Sequence, residues 1–532
     1  RGKILETCEG EFVSLFVEGQ SGKVHIVNDR FGACPFFLLD ADGRTLLSSN
    51  LAFLSFLAGG RLESDVLGWL QIFTWDHAIG SRTHLRDVRR LLPASHVTLS
   101  TERTHHTQYW CPRPQVEEHS DPKLTARRVF EAFRSATERR AGRLRKGTIA
   151  LSGGLDSRMV AGALPEGADF SAWTFADSVD TTDTPQVRVA VEVSRILGIR
   201  HTIKPISKGV LSPQLVRDLI ALTGGLIAIH HSVKTMQGIS VIRDEGEDSQ
   251  MGGAPAGSLS GSYIPSPEYL DPAKTDLCIR AFVRSKSGPR EAELLGRLFR
   301  RDVLREYYPR VEPSLKETFE LSEGPTAAHR VSAWSMANRN FAFHFTCPTH
   351  SHPDVTEAQP HLGYEYTDLM VQLPARWLYK RAFYEFMIVQ CLPSLRDVIY
   401  GNTGKRLSGT LDVSSKDSQR GKPYHRVRRF VGRSLRAIVP SPVRRQRTFL
   451  YDLLHNDQLL SDVAEIIRSR RSLGKILDVE KCTQFVADCR AGRIGRKRDD
   501  TRLLGTLTTM CYVFEFFDRQ PTAGARAPAP YR

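Results

Sequence analysis

The sequence predicts an α/β protein with a β-rich N-terminal part and a longer part built around a parallel sheet. Two observations lead to this class. Short apolar or alternating segments separated by turn residues fill most of residues 1–112. From residue 124 onward, segments with helical and strand patterns alternate, which is typical of a parallel sheet with crossover helices. The 532 residues suffice for two or three domains.

The N-terminal elements are predicted as strands within residues 10–19, 23–30, 34–50 and 96–110. The stretch Asp40-Ala41-Asp42-Gly43 predicts a hairpin turn, because Asp-Gly tolerates positive φ. A polar, proline-rich segment follows at 110–123 and is predicted to be a linker. We therefore place the first domain at residues 1–112.

The second part opens with a predicted helix, and strands and helices then alternate along the chain. The predicted elements are helix 124–147, strand 147–153, helix 155–164, strand 169–177, helix 186–198 and strand 201–206. The sequence Asp183-Thr184-Pro185 is typical of a helix start. From about residue 276 the pattern is mostly helical, with a long loop around 343–363. We expect one domain over 122–425, a basic helical part over 426–520 and an unstructured tail over 521–532.

Composition narrows the class of protein. The net charge of +15 is concentrated in late basic runs such as 425–436 and 443–447, where apolar residues recur at helical spacing. These runs indicate solvated helix faces, and the absence of a nucleic-acid motif argues against a nucleic-acid partner. No apolar run approaches the ~18 residues of a membrane span. The nine scattered cysteines include no CxxC pair, which favours a reducing cytoplasm.

The stretch Ser152-Gly153-Gly154-Leu155-Asp156-Ser157 carries the strongest chemical signal. It follows a predicted buried strand and opens a helix, so it lies at the strand ends where ligands bind in parallel sheets. The two glycines allow close approach of the backbone, and the serine hydroxyls suit phosphate oxygens. Asp156 repels a bare phosphate, so its presence implies a bridging Mg²⁺. The alternative interpretation is an ordinary glycine-rich turn.

This hexapeptide is similar to the pyrophosphate loop of ATP pyrophosphatases, and other segments make the chain resemble the asparagine synthetase family. GEFVSLF and DRFGACPFF (29–37) resemble its N-terminal elements. DEGEDSQMGG (244–253) resembles its second pyrophosphate and metal segment. EAQPHLG (357–363) and NTGKRLSG (402–409) resemble its later segments. The resemblance spans roughly residues 8 to 518.

The resemblance implies a fold and a set of site residues. The fold is a partial Ntn-hydrolase-like, glutaminase-type domain followed by a doubly wound ATP pyrophosphatase domain. The residues at ATP-binding positions are Leu151, Ser152, Gly153, Gly154, Leu155, Asp156, Ser157, Phe175 and Gly246. Asp156 and Asp248 match the Mg²⁺ ligands, and Lys405, with Arg406 as its competitor, matches the functional loop lysine. The catalytic set is thus Lys405, Asp156 and Asp248.

Each assignment has a plain structural alternative. Leu151 and Phe175 could simply be core residues, and Asp183 could be a helix cap. Asp248 lies in an acidic run and could be a surface acid, and Lys405 could be a solvated loop lysine.

Several residues depart from the family pattern, and we expect most of them on the acceptor side of the site. They are Arg158, Ser249, Gln359, His361 and Gly363. They put aspartate in doubt as the substrate. In the family, an N-terminal cysteine hydrolyses glutamine, and Cys8 does not match it, since that nucleophile needs a free amine. We expect the present chain to lack glutaminase activity, with an N-terminal segment missing or degenerate.

The resemblance implies an ATP-dependent, amide-forming ligase like asparagine synthase (glutamine-hydrolysing). ATP would activate a small carboxylate, aspartate or a related acid, and ammonia or an amine would then attack it. A homodimer is compatible with this role. The nearest alternatives are a lasso-peptide cyclase, a β-lactam synthetase and a sugar-acid amidating ligase. Two further alternatives belong to other classes: a tRNA-modifying pyrophosphatase and a non-catalytic binding protein with a relic fold.

Overall fold

The computed structural model describes most of the chain as two packed parts. The described residues are 8–411 and 453–518, with gaps at 42, 60–61, 102–103, 115–120, 145, 177–183, 206–210, 245, 349–351, 353, 455 and 495–497. The basic runs at 425–436 and 443–447, the tail over 521–532 and Asp183 lie outside the described residues. No helix in the described ranges is long and apolar enough to cross a membrane.

The N-terminal part contains two antiparallel sheets. Its elements are β1 (Val13–Val17), β2 (Val24–Asn28), β3 (Phe37–Ala41), β4 (Arg44–Ser48), α1 (Leu51–Leu57), α2 (Val66–Trp75), β5 (Val88–Arg90), β6 (Ser95–Leu99) and β7 (Thr104–Gln108). One sheet has the order β1-β2-β6-β7 and the other β4-β3-β5. The predicted hairpin joins β3 to β4, and Gly43 takes φ 72° there.

The sequence patterns predicted only strands in this part, but two helices, α1 and α2, lie between β4 and β5. Helix α2 is buried on nearly every side, so its residues VLGWLQIFTW show no amphipathic period. The residues that mark the starts of these two helices in the sequence are their N-caps. The Asn50 side chain accepts from Phe53 N–H, and the Asp65 side chain accepts from Gly68 N–H.

The second part confirms the predicted parallel sheet. Its five strands have the order β10-β9-β8-β11-β12, and all their pairings are parallel. The strands are β8 (Lys146–Ala150), β9 (Asp169–Ala176), β10 (His201–Pro205), β11 (Ser249–Met251) and β12 (Thr356–Ala358). The last two strands were not predicted, because three residues are too few to show a period. Strand β12 corrects the expected long loop at 343–363.

Helices make up most of the rest of the second part. They are α3 (Pro122–Leu144), α4 (Asp156–Gly162), α5 (Pro185–Leu197), α6 (Pro213–Thr223), α7 (Ile229–Asp244), α8 (Ala256–Leu259), α9 (Thr275–Ser287), α10 (Pro289–Leu295), α11 (Arg301–Tyr307), α12 (Val311–Glu320), α13 (Ala327–Trp334), α14 (Tyr364–Val371), α15 (Ala375–Leu378), α16 (Ala382–Cys391), α17 (Asp457–Ser469), α18 (Val479–Arg490) and α19 (Arg498–Phe517). Helix α5 is capped by Thr184, with Pro185 in its first turn.

The two parts share one interface. The Arg30 guanidinium donates to both Asp368 oxygens at 3.0 and 3.1 Å and lies 4.0 Å from the Tyr364 ring centroid. Towards the C-terminal end of α3, Arg139 and Arg140 each lie 3.0 Å from Glu9. The N-terminal part is therefore fixed against α3 and α14.

Candidate functional site

The loop from Leu151 to Leu155 joins β8 to α4 at the carboxyl edge of the parallel sheet. The Ser157 hydroxyl accepts from Ser152 N–H at 3.0 Å, and the two serine hydroxyls lie 3.1 Å apart. Gly154 N–H donates to the Ser152 hydroxyl at 3.2 Å. The structure thus brings together the residues of the predicted pyrophosphate loop in one tight turn.

At two positions of this site, neighbouring atoms lie so close that only glycine fits without a shift. A Cβ at Gly153 would lie 2.9 Å from Gln186 Cα. A Cβ at Gly253, in the segment after β11, would lie 3.0 Å from both Asp156 Cβ and Ser157 N. Contacts this short displace backbone, so neither position accepts a side chain without moving the loop.

A cavity of about 700 Å³ opens beside this loop at the carboxyl edge. Its lining residues are Ala150, Leu151, Ser152, Trp173, Thr174, Phe175, Thr184, Pro185, Gln186, Thr235, Gly238, Gln250, Ala254, His344, Cys347, Glu357, Gly401 and Asn402. Leu151 and Phe175, which the resemblance places at ATP-binding positions, both line this cavity on the side of β8 and β9. The neighbouring Ala176 is fully buried and does not line it.

The turn that carries Lys405 lies on top of the loop. Gly401 N–H donates to the Gly153 carbonyl at 2.9 Å, and Tyr400 N–H donates to the Lys405 carbonyl at 2.7 Å. The side chains of Gln186 and Asn402 meet at 2.5 Å across the same junction. The backbone of Lys405 is therefore fixed relative to the loop. Its competitor Arg406 lies 3.3 Å from Asp397.

Asp156 is half-buried at the start of α4. Its carboxylate forms an ion pair with the buried Arg381 guanidinium. Burial alone would lower the pKa of the Arg381 guanidinium, but the Asp156 carboxylate raises that pKa above its usual value. Lys380 and Arg381 both adopt positive φ, at 54° and 61°. Two adjacent non-glycine residues in this region indicate backbone strain at the site.

The buried network continues from Tyr384 to His361. The Arg381 guanidinium lies 4.6 Å from the Tyr384 ring centroid, and Tyr384 Oη lies 2.8 Å from His361 Nε2. Burial lowers the pKa of His361 to about 4, so this imidazole is neutral near pH 7. His361, one of the departures from the family pattern, thus contacts Tyr384, which packs against the partner of Asp156.

Asp248 and Gly246 lie at the opposite edge of the sheet, which corrects their assignment. Strand β11 pairs in parallel with β8, with Gln250 opposite Thr148. Asp248 precedes β11, so it lies beside the start of β8, whereas the loop follows the end of β8. The ion pair of Glu247 with Lys146, at 3.6 Å, fixes this acidic run at the amino edge.

The Mg²⁺ pair implied by the resemblance, Asp156 with Asp248, does not come together in the described residues. At the carboxyl edge, β11 is followed by Gly252, Gly253, Ala254, Pro255 and Ala256, and none of these bears a carboxylate. Asp156 itself is already paired with Arg381. The positive charge at this loop comes from a guanidinium of the chain itself.

Glu357, on β12, belongs to the family-like segment EAQPHLG and is a functional candidate in addition to the predicted site residues. The Gln359 amide donates to Glu357 Oε1 at 2.7 Å, and the Gln250 amide lies 3.5 Å from the same oxygen. Glu357 lines the large cavity and also a second cavity of about 430 Å³. The second cavity lies between the two parts of the chain and is bordered by Glu11 and Cys34.

Three of the other departures from the family pattern have structural roles. Ser249 donates to the Lys146 carbonyl at 2.9 Å. Arg158, fully buried, donates to the carbonyls of Val398 and Ile399 at 3.0 and 2.6 Å, which fixes the segment before Tyr400. A Cβ at Gly363 would lie 2.6 Å from Ala136 Cβ.

Comparison with known proteins adds one domain assignment. No curated protein matches the chain. Residues 2–110 match the family described as glutamine amidotransferase domain. The β-rich N-terminal part, with its two antiparallel sheets, is therefore a glutamine amidotransferase domain.

Proposed function

We propose that this chain is a glutamine-dependent, amide-forming ligase in which the large carboxyl-edge cavity binds ATP and activates a carboxylate. One observation carries the proposal. The Ser152–Ser157 loop and the Tyr400–Lys405 turn are locked together at one side of the cavity, and Glu357 links the cavity to the amidotransferase side.

The cavity offers distinct surfaces for the parts of ATP. Leu151, Trp173 and Phe175 supply an apolar wall suited to a base. Ser152 and Gln186, next to the loop, supply polar groups for phosphate oxygens. Arg381 and the turn of Lys405 supply cations near the same loop. Charge that develops on the phosphates would be stabilised by these preorganised groups.

The proposed chemistry has two steps. A substrate carboxylate oxygen attacks the α-phosphorus of ATP, and the bond from that phosphorus to the bridging oxygen of pyrophosphate breaks. Ammonia then attacks the acyl carbon, the carbon–oxygen bond breaks and AMP leaves. The attacking nitrogen loses a proton in this step, and Glu357 is the described carboxylate placed to accept it. Holding both partners in one cavity raises their effective concentration.

The amidotransferase domain points to glutamine as the nitrogen source of the ligase, although Cys8 does not match the nucleophile that releases ammonia in the family. The cavity that borders this domain shares Glu357 with the proposed ATP site. The second cavity also borders Glu9 and Arg140, an ion pair that joins the two parts. This arrangement supports transfer of ammonia between the two sites.

The lining of the large cavity favours a substrate other than aspartate. The described lining residues include neither lysine nor arginine, and their one carboxylate is Glu357. A second carboxylate on the substrate would require a cation there, because an unpaired buried charge is costly. A peptide carboxylate or a sugar acid without a second negative charge fits the described lining better.

A second candidate function is nucleotide binding without turnover. It is favoured by the pairing of Asp156 with Arg381 and by the absence of a carboxylate in the Gly252–Ala256 segment. Such a protein would bind ATP in the same cavity but would not release pyrophosphate.

Product analysis distinguishes the two functions. The full chain is incubated with ATP, ammonium chloride and a panel of amino acids, peptides and sugar acids, and AMP and amide are quantified. Ammonium replaces glutamine, so the result does not depend on glutaminase activity. The ligase proposal predicts AMP and amide in equal amounts with at least one acid, and loss of amide in Glu357→Gln with ATP binding retained. ATP binding without AMP for any acid would instead establish the second candidate.

A further inference from the structure

A cluster of three potential metal ligands lies away from the proposed ATP cavity. Asp76, His230 and His231 are half-buried, and one ligand atom from each lies within 4.8 Å of the others. None of the three lines the large cavity. Asp76 follows α2 of the amidotransferase domain, and both histidines belong to the first turn of α7.

The backbone fixes these residues before any ligand binds. Asp76 ends α2 with φ 66° and donates its N–H to the Ile72 carbonyl at 2.8 Å. The next residue, His77, forms an antiparallel β-bridge with Ile227, just ahead of α7. In the first turn of α7, His231 N–H donates to the Ala228 carbonyl at 3.0 Å. The carboxylate and the two imidazoles are therefore held together by main-chain contacts.

The side chains converge on a common point. His231 Nε2 lies 3.4 Å from Asp76 Oδ2, and the two imidazole centroids are 4.0 Å apart. Asp76 Oδ1 is buried and has no hydrogen-bond partner. A buried carboxylate oxygen without a partner calls for an explanation, and a bound cation is a common one. The Phe343 ring, whose centroid lies 4.7 Å from the His231 ring centroid, shields one side of the cluster.

We propose that Asp76, His230 and His231 bind a divalent transition-metal ion of the Zn²⁺ class. Two imidazole nitrogens and one carboxylate oxygen form a ligand set that this class prefers. The usual ligand distances of about 2.0–2.2 Å require only a small inward movement of the three groups. Remaining coordination positions would be filled by water.

Neighbouring cations make the site selective. The Arg502 guanidinium contributes to the electrostatic environment of Asp76, although it also donates to the Phe73 carbonyl at 2.6 Å and to Glu291 at 2.7 Å. Lys286 interacts electrostatically with Asp76 as well. These two positive charges repel any bound cation, and they weaken most the binding of ions that are held mainly by charge, such as Mg²⁺. Zn²⁺ gains more from imidazole coordination, so it is the ion expected here.

Binding would tie the amidotransferase domain to α7 and stabilise the folded chain. An ion that binds only the native state raises its stability by RT ln(1 + [L]/Kd). Metal occupancy is therefore visible as a concentration-dependent rise in Tm, without any measurement of catalysis.

The test uses the full chain after treatment with a chelator and desalting. Co²⁺ is titrated while its visible ligand-field absorption is recorded, and Tm is measured with added Zn²⁺ or Mg²⁺. We expect Co²⁺ bands, a Tm rise with Zn²⁺ and none with Mg²⁺. His231→Ala and Asp76→Asn should each weaken binding by at least about tenfold. Asn tolerates positive φ at a helix end, so Asp76→Asn removes the charged ligand without disturbing the cap.

The matched control is His96→Gln. His96 also lies beside another imidazole, with its Nε2 3.1 Å from His25 Nδ1, but it is on a strand of the amidotransferase domain. The proposal requires this variant to bind Co²⁺ like the original chain. Absence of Co²⁺ bands and of a Zn²⁺-dependent Tm rise in the original chain overturns the proposal. Equal binding by the original chain, His231→Ala and Asp76→Asn also overturns it.

Discussion

At the residue scale, the pairing of Asp156 with Arg381 determines the character of the proposed ATP site. The loop motif singles out Asp156 in the sequence, and its resemblance to a family motif predicts that Asp156 is a metal ligand. The sequence contains no signal for Arg381, which lies 225 residues away along the chain. Chain separation of this size is resolved only by the tertiary fold. Arg381 places a positive charge beside Asp156, the residue to which the resemblance assigns a Mg²⁺ ligand role.

Arg381→Met should weaken ATP binding. A hydrogen bond to a charged group contributes about 1.5–3 kcal/mol, so the dissociation constant should rise roughly tenfold or more. The control is Arg396→Met, an exposed arginine whose partner is Asp397 at 3.5 Å, and it should bind ATP normally. Calorimetry with ATP measures both variants. Addition of EDTA should change the affinity of the original chain less than about tenfold, because Asp156 is paired with Arg381 and Asp248 lies at the opposite edge of the sheet.

Glu11 gives a pH-dependent prediction at the same scale. Burial raises the pKa of its carboxyl to about 8. The folded state therefore keeps a proton that the unfolded state loses, so Glu11 lowers stability progressively from about pH 4.5 to about pH 8. The substitution Glu11→Gln keeps a side-chain oxygen at the position that accepts from Gln359 N–H at 3.3 Å. The Tm of Glu11→Gln should exceed that of the original chain at pH 8 and approach it at pH 5. The same Tm difference between the two proteins at pH 8 and at pH 5 would contradict this account.

At the scale of elements, the longer segments were predictable and the shortest were not. Strand β8 and helices α3 and α5 carry clear periods, caps and a closing glycine, so their types followed from local patterns. Strands β11 and β12 have three residues each, and only the neighbouring strands identify them. This omission explains the wrong position of Asp248. An acidic run followed by Gly252-Gly253 looks like one metal segment until β11 separates its two ends.

The crowding at Gly253 predicts a difference between two glycine substitutions. Gly253→Ala places a methyl group 3.0 Å from Asp156 Cβ and Ser157 N, so the loop must move. Gly154→Ala meets only the Ser152 hydroxyl, at 3.1 Å, which can rotate. We expect Gly253→Ala to weaken ATP binding by about tenfold or more and Gly154→Ala to weaken it much less. Similar ATP affinities for the two variants would argue against the loop as the phosphate site.

At the scale of the whole molecule, polar contacts join the amidotransferase domain to the parallel-sheet part at several places among the described residues. Arg30 is the clearest of these, since its guanidinium donates to both Asp368 oxygens and stacks on Tyr364. The N-terminal sequence element that contains Arg30 was recognised by its resemblance to a family. Its role in joining the two parts depends on residues more than 300 positions away, which no local pattern reveals.

Arg30→Ala should loosen this interface. Removing a partly buried charged hydrogen-bonding group costs about 1.5–3 kcal/mol, so thermal unfolding should begin at a lower temperature. The control is Arg86→Ala, which removes an exposed ion pair with Glu63 and should change stability by less than about 1 kcal/mol. Differential scanning calorimetry checks both. Equal transitions for the two variants would show that Arg30 does not hold the parts together.

The central claim is that the carboxyl-edge cavity activates a carboxylate with ATP, and ATP–pyrophosphate exchange tests it most directly. The assay isolates the first step, so neither glutaminase activity nor the nitrogen source affects it. The account predicts exchange that depends on one class of carboxylate, exceeds that seen with aspartate and is reduced in Gly253→Ala at limiting ATP. No exchange with any acid, in a protein that still binds ATP, would contradict the ligase proposal and leave nucleotide binding as the function of the site.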